Sequence, residues 1–325
     1  MKKILFLIIL AFAAPAFSKT GISPDDMTGA DLKPEDMAAS LSAPRPPEVK
    51  YDKTDFDRDM KGAEGGDVNS MFSLAVAYAN GYGVEQSYPK AMKWYEKAAD
   101  KGDAAAKYRL GAMNAIGQGT KKNLDKAAEW FTKAAETGDF KSSLILYSMY
   151  SGWKEVRKDD SLAFKWLKNA VAADADKQPN WAFLLGVMYY RGQGTKKSYG
   201  WAKRYFEYAS SKGDPRGDIM LGTMYKNGEG VEKNLDKAAA YYTKAVESGR
   251  VGGFPVLISR VYRDKGDYVS SLQWLLIAYQ DMSDDEIFSL RNEDMFLTDH
   301  TTPEQKEQAR AAAKKWLEEF KPKTK

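Results

Sequence analysis

The chain has 325 residues, of which 43% are hydrophobic and 29% charged, a length that ordinarily suggests about two globular domains. It contains no cysteine and a single histidine, which excludes thiol chemistry, cysteine-ligated metal sites and metal sites with several histidine ligands. The formal net charge is only +4, whereas a dedicated nucleic-acid-binding protein normally carries a larger basic excess. We therefore predict no nucleic-acid partner, no metal and no cofactor.

Residues 1–18 have the features of a cleaved secretory signal peptide. Lys2 and Lys3 precede an apolar run that extends to Ala13, and small residues suited to cleavage follow it, with the cleavage site left open between two positions. The run is too short to span a bilayer as a helix. We expect a periplasmic or secreted protein with no membrane span.

Two short segments separate this signal from the main body of the chain. Residues 19–50 contain five prolines and few bulky apolar side chains, which is typical of a flexible linker. Residues 51–65 are predicted to form an N-terminal capping helix, because Lys61-Gly62-Ala63-Glu64 resembles the end of a repeat helix further along the chain.

A unit of about 36 residues then recurs between residues 66 and 281. Five leucines open successive copies at separations of 36, 36, 39 and 36 residues: Leu74, Leu110, Leu146, Leu185 and Leu221. The predicted copies are 66–101, 102–137, 138–176, 177–212, 213–248 and a shortened copy, 249–281. Periodicity of this length is the signature of a repeat architecture.

Each copy is predicted to be a helical hairpin. In the copy 213–248, both halves place apolar or small residues at helical spacing, and the sequence Asn227-Gly228-Glu229-Gly230 lies between the halves. The glycines can adopt the positive φ that such a tight reversal requires. The third copy has Trp153 where the first glycine should stand.

A hairpin of this length cannot bury both its faces, so neighbouring copies must stack into a continuous core. The predicted fold is therefore all-α: an elongated α-solenoid, a right-handed superhelix of stacked helical hairpins. Residues 282–325 are predicted to form a C-terminal cap. There, Thr302-Pro303-Glu304-Gln305 has the form of a capping box, and the following helix carries Ala309, Ala312, Ala313, Trp316, Leu317 and Phe320 on one side.

The repeat pattern resembles a known family. The segments Gly228–Val231 and Lys237–Ala245, and the segments Gly81–Val84 and Trp94–Ala99, are similar to the Sel1-like repeat, a relative of the tetratricopeptide repeat. This resemblance implies an exported bacterial protein that acts in envelope signalling, complex assembly or host-cell interaction.

Short catalytic motifs are better explained by the repeat. Ser87-Tyr88-Pro89-Lys90 and Lys19-Thr20-Gly21 match two motifs of serine β-lactamases, which defines an alternative function: a cell-wall-active hydrolase or a penicillin-binding, β-lactamase-like enzyme. Lys90, however, occupies the same repeat position as Lys126 and Lys237, and Ser87 lies where a helix cap is needed. We therefore predict a non-enzymatic protein.

The repeat register also predicts a partner-binding surface. If the first helices line a concave groove, the position two residues before each leading leucine faces it. These predicted contact residues are large and apolar: Phe72, Tyr108, Leu144, Phe183 and Ile219. The residues five before each leucine are mostly polar: Asn69, Ala105, Lys141, Asn180 and Arg216. The alternative is that superhelical curvature buries the apolar positions as core.

We accordingly predict an interaction scaffold or adaptor of the cell envelope. Its mechanism is reversible docking of a peptide or protein partner into the groove of a preorganised solenoid. The sequence leaves open the identity of this partner, the choice among the three roles above, and the oligomeric state.

Overall fold

The computed structural model describes residues 51–173, 179–248, 254–280 and 282–320. The predicted signal peptide (1–18) and linker (19–50) lie outside these described residues. Within the described part, the chain forms sixteen helices and no strand, and consecutive helices pack against one another in pairs. The predicted all-α repeat architecture is confirmed.

The described residues fall into two compact units. The first unit contains residues 51–173 and 193–195, and the second contains the remaining described residues. The helices of the first unit are α1 (Lys53–Glu64), α2 (Val68–Asn80), α3 (Tyr88–Asp100), α4 (Ala104–Ile116), α5 (Leu124–Ala135), α6 (Phe140–Gly152) and α7 (Asp160–Ala173). The helices of the second unit are α8 (Pro179–Arg191), α9 (Tyr199–Ser211), α10 (Pro215–Asn227), α11 (Leu235–Glu247), α12 (Pro255–Asp264), α13 (Tyr268–Tyr279), α14 (Asp284–Ser289), α15 (Arg291–Asp299) and α16 (Pro303–Glu319).

The second hairpin, α4–α5, shows how local sequence sets the helix ends. The carboxylate of Asp103 accepts a 2.6 Å hydrogen bond from the backbone N–H of Ala106, which caps the start of α4. Gly117 ends α4 with φ 79°, a left-handed conformation that is strained for residues with a Cβ. The side chain of Asn123 then accepts a bond from the N–H of Lys126 and starts α5.

The apolar positions of the repeat form the core. All five leading leucines are at most 1% exposed. The methionines three residues after the last four leading leucines are also buried: Met113, Met149, Met188 and Met224. In the first unit, this core continues back to α1, where the ring of Phe56 meets that of Tyr78 edge-to-face at 5.4 Å.

A glycine in the first helix of a hairpin allows an aromatic ring of the second helix to approach its backbone. A Cβ placed on Gly111 would lie 2.7 Å from the ring of Phe131, and one on Gly222 would lie 2.7 Å from the ring of Tyr242. Real Cβ contacts are essentially never this short. The two helices of these hairpins are therefore closer together than any other residue in the glycine position would permit.

The turns between helices also touch the preceding hairpin. A Cβ on Gly119, in the α4–α5 turn, would lie 2.9 Å from the carbonyl carbon of Tyr88 at the start of α3. A Cβ on Gly83, in the α2–α3 turn, would lie 2.5 Å from the carbonyl oxygen of Asp52, which caps α1. The second glycine of the turn is thus required by packing between neighbouring hairpins.

The third hairpin, α6–α7, builds its turn without glycine. Trp153 follows α6 with φ −71° and ψ 127°, an extended conformation, and its side chain is buried. Glu155 stands where the second glycine should be, and its carboxylate lies 2.9 Å from Lys122 Nζ in the preceding turn. An ion pair therefore replaces the close backbone approach at this turn.

The predicted capping box of the C-terminal helix is confirmed, since Thr302 and Gln305 exchange side-chain-to-backbone hydrogen bonds at the start of α16. The prediction that the apolar side of α16 packs into the core is only partly correct. Ala309 and Ala313 are buried, but Phe320 is 41% exposed, because it lies at the helix end and stacks on Trp316.

Candidate partner-binding surface

In the first unit, the predicted contact residues Phe72 and Tyr108 remain partly exposed on α2 and α4. Each ring packs against a buried ring of the second helix of its hairpin: Phe72 lies 5.4 Å from Tyr95, and Tyr108 lies 5.8 Å from Phe131. Burial raises the pKa of Tyr95 to about 12, so its hydroxyl stays neutral at physiological pH. The ring edges of Phe72 and Tyr108 are held on a fixed apolar base.

Leu144, the next residue of this series, is core. It is 5% exposed, and every residue of α6 from Ser142 to Met149 is buried. The prediction that Leu144 lines an open groove is therefore wrong, because α6 is covered on all its faces. The predicted surface in the first unit narrows to Phe72 and Tyr108, which we call the N-terminal apolar pair.

Phe183 requires a second correction. Its side chain is fully buried, with the ring 5.6 Å from Phe206 and the guanidinium of Arg216 4.6 Å from its centroid. Arg216 is fixed there by an ion pair with Asp214 at 2.6 Å and by a hydrogen bond to the side chain of Asn180. A residue predicted to form the polar rim therefore covers a residue predicted to be exposed.

The remaining predicted positions are accessible to different degrees. Ile219 in α10 is partly exposed and packs against a cluster that includes Tyr242 and Ile258. Four residues predicted to form the rim are exposed: Asn69, Ala105, Lys141 and Asn180. Asn69 and Ala105 lie one helical turn before Phe72 and Tyr108, so each ring of the N-terminal apolar pair has a small or polar exposed residue beside it.

Trp201 in α9 is an exposed aromatic residue that the sequence reasoning missed. It is 47% exposed and lies 6.0 Å from the ring of Tyr189, at an interplanar angle of 23°. In two other hairpins the same position holds a lysine that lies over a tyrosine ring: Lys90 over Tyr78 at 5.5 Å and Lys237 over Tyr225 at 5.2 Å. The sequence could have revealed it, because a tryptophan stands at a repeat position that holds lysine in three other copies.

The Ser-x-x-Lys motif lies at the start of a repeat helix. Ser87 is the N-cap of α3, in an extended conformation with φ −154°. Lys90 Nζ lies 5.5 Å from the centroid of the Tyr78 ring. The Lys19-Thr20-Gly21 segment lies outside the described residues.

The described ranges contain neither a metal-binding cluster nor a membrane-spanning helix. No group of three or more histidine, cysteine, aspartate or glutamate side chains there could hold a metal ion. No helix in the same ranges is both long enough and apolar enough to cross a membrane. His300 caps the end of α15, is exposed, and stacks on Phe296 with the ring centroids 4.0 Å apart.

Comparison with known proteins identifies the repeat. The family model of the Sel1 repeat matches residues 68–103, 104–139, 142–174, 182–214 and 215–249, which together make up more than half of the chain. No curated protein matches the chain.

Several solved structures are similar. One is a protective antigen of uropathogenic Escherichia coli strains displaying an SLR fold, with 26% identity over 83% of this chain and a TM-score of 0.47. The present chain spans 57% of the length of that antigen. Another is a Sel1 repeat protein from Oxalobacter formigenes, with 23% identity over 77% of this chain and 99% of that chain, and a TM-score of 0.47. Helicobacter pylori cysteine rich protein B is 29% identical over 39% of this chain and 90% of its own, with a TM-score of 0.28.

Proposed function

The chain belongs to the Sel1 repeat family, and from this we propose that it is an interaction scaffold of the bacterial cell envelope whose N-terminal apolar pair binds a peptide or protein partner. Sel1 repeat proteins are generally non-enzymatic scaffolds that mediate protein interactions. The observation that carries the proposal is the partial exposure of Phe72 and Tyr108 on consecutive first helices.

The chemistry of the pair suits a protein partner. Aromatic side chains lose little conformational freedom on binding and are enriched among the residues that dominate interface energetics. Phe72 and Tyr108 are also held in place by the rings of Tyr95 and Phe131, so a partner need not order them. Exposed Asn69, one helical turn before Phe72, can supply part of the polar rim of such an interface.

The envelope location is supported by the sequence of residues 1–18 alone. A charged start, an apolar run and small residues at the cleavage positions are the features by which a secretory signal is recognised. In the envelope, the partner would be an exported or membrane-exposed protein. The mechanism we propose there is reversible docking without a chemical step.

The proposal is tested by capture of a partner from envelope extract on the immobilised protein. We expect Phe72→Ser combined with Tyr108→Ser to weaken binding of the captured partner about thirtyfold or more, since loss of interface anchors costs about 2 kcal/mol or more. Purified partner and titration by calorimetry give the affinities. The matched control is Trp201→Ser, which removes an exposed aromatic ring from the second unit.

Helical content by circular dichroism must be equal in the compared variants, because Phe72 and Tyr108 also pack on buried rings. A third variant, Ile219→Ser, measures whether the surviving position of the second unit contributes. Unchanged affinity of the double variant, with its helical content retained, would rule out the N-terminal apolar pair as the contact.

A further inference from the structure

Two short consecutive helices near the C-terminus expose three large apolar side chains. Phe288 in α14 is 70% exposed, and Met295 and Phe296 in α15 are 52% and 37% exposed. Among the described residues, these are three of the five large hydrophobic residues that are exposed. Large exposed apolar side chains concentrated in one short segment are unusual on a water-facing surface and are typical of an interaction site.

The two helices are firmly attached to the second unit. Leu290 and Leu297 are at most 5% exposed, and they belong to a core cluster with Leu275 of α13. The guanidinium of Arg260 in α12 also holds the carboxylate of Glu293 through three hydrogen bonds of 2.6 to 3.2 Å. Phe288 and Met295 are therefore displayed from a fixed framework.

The ring of Phe296 is fixed as well. It meets Tyr268 of α13 edge-to-face at 5.7 Å and stacks on His300 at 4.0 Å. The imidazole of His300 is anchored by a 2.7 Å hydrogen bond between Nδ1 and the carbonyl oxygen of Phe296. A partner that binds here meets a preformed apolar surface.

The exposed charges on these two helices are mostly negative. Asp284, Asp285 and Asp299 are exposed on α14 and α15, whereas Arg291 is the one exposed lysine or arginine on these two helices. Glu293 is neutralised by Arg260 and does not contribute. The surface is thus locally acidic in a chain whose formal net charge is +4.

We propose that this acidic apolar surface, formed by Phe288, Met295, Phe296, Asp284, Asp285 and Asp299, docks a basic amphipathic segment of a partner protein. Its apolar residues would cover Phe288 and Met295, and its lysines or arginines would face the three aspartates. Opposite charge on the two partners speeds association and selects against acidic competitors. This surface is separate from the N-terminal apolar pair in residues, chemistry and unit.

Two other occupants are disfavoured by charge. An anionic lipid surface attracts basic patches and would be repelled by the three aspartates. Residues 19–50 of the chain itself carry six acidic residues and four basic residues, so they share the sign of the surface.

The test uses the whole chain and a synthetic probe. The probe is a fluorescein-labelled amphipathic helix of about four turns, with leucine at i, i+3, i+4 and i+7 spacing and lysine elsewhere. We expect saturable binding by fluorescence anisotropy that weakens as salt rises, because screening reduces attraction between exposed charges. The same helix with glutamate in place of lysine is expected not to bind.

Variants locate the binding. Phe288→Ser with Met295→Ser is expected to reduce the affinity for the lysine probe at least about tenfold, since burial of one such side chain is worth 1.4 kcal/mol or more. Asp284→Asn with Asp285→Asn is expected to reduce the salt dependence of binding. Trp201→Ser and the pair Phe72→Ser with Tyr108→Ser are expected to bind as the unaltered chain does.

Several outcomes would overturn the proposal. They are a lysine probe that fails to bind, equal affinity of the Phe288→Ser, Met295→Ser variant, and equal binding of the glutamate probe. Binding of the unaltered chain to phosphatidylcholine vesicles that is lost in the Phe288→Ser, Met295→Ser variant would assign the surface to lipid instead.

Discussion

The second and third hairpins use the same two positions in different ways. In α4–α5, Gly111 on the first helix faces the ring of Phe131 on the second. In α6–α7, the equivalent positions hold Tyr147, which is 5% exposed, and Leu167, which is fully buried. In α6–α7 the aromatic residue is thus on the first helix and the smaller residue is on the second, which is the reverse of α4–α5.

The turns of the two hairpins also differ at two positions together. The α4–α5 turn has Gly117 and Gly119, both with positive φ, and Gly119 packs on the preceding hairpin. In the α6–α7 turn, Trp153 is buried and Glu155 forms an ion pair with Lys122. No described non-glycine residue has positive φ, so this turn follows a different backbone path. The repeat is therefore specified by pairs of positions rather than by single conserved residues.

Tyr147→Gly is expected to have the largest effect on the stability of the third hairpin. Removal of a buried aromatic side chain costs about 3–5 kcal/mol, and glycine within a helix adds about 1 kcal/mol, so we expect a loss of about 4 kcal/mol or more in the free energy of unfolding. Urea unfolding followed by circular dichroism measures it. Adding Leu167→Phe recreates the pair of the second hairpin, and we expect it to recover about 2 kcal/mol.

The reverse exchange is the control. Gly111→Tyr alone should be destabilising, because its Cβ would lie 2.7 Å from the ring of Phe131, and Phe131→Leu should restore part of the loss. Strictly additive effects in both hairpins would contradict the pairing of the two positions.

The turns provide the next largest effect. Gly119→Ala places a Cβ at φ 75° and 2.9 Å from the carbonyl carbon of Tyr88, so we expect it to cost about 2 kcal/mol. The equivalent change in the third hairpin, Glu155→Ala, removes an exposed ion pair and should cost less than about 1 kcal/mol. Thermal unfolding of the two variants side by side gives the difference. Similar losses would show that the two turns are not structurally distinct.

A smaller effect on the free energy of unfolding is expected at alkaline pH. Burial raises the pKa of Tyr147 to about 12, whereas an unfolded tyrosine ionises near 10. The unfolded chain therefore loses this proton first, and the stability that Tyr147 contributes is complete below pH 10 and lost as pH rises towards 12. Between pH 8 and pH 11, the chain should lose about 1.3 kcal/mol more than a Tyr147→Phe variant. Equal losses in urea titrations at these two pH values would contradict the assignment.

Much of the fold could be predicted from the sequence because it depends on periodic positions. The leading leucines, the following methionines and the capping box at Thr302 all lie where spacing and side-chain chemistry place them. The Sel1 repeat was recognisable from its glycines and its lysine–alanine pairs. These features recur in each copy, so one copy supports the interpretation of the next.

The binding surface was harder to predict because the exposure of a residue depends on side chains of the neighbouring copy. Phe72 and Phe183 occupy the same repeat position, yet Arg216 covers only Phe183. That contact requires Asp214 and Asn180 to hold the guanidinium, an arrangement that no single periodicity reports. The acidic apolar surface was missed because α14 and α15 lie outside the repeat copies.

The position of Gly119 against the start of α3 also limits how such a chain can change in length. A turn seated on the preceding hairpin leaves no room for inserted residues, so an insertion there would push neighbouring copies apart. Duplication of an entire hairpin lengthens the chain and preserves each contact between a turn and the preceding hairpin. Epitope tags and grafted peptides for this protein therefore belong at exposed helix ends such as Glu136–Gly138, where a Cβ on Gly138 would have no other atom within 4 Å.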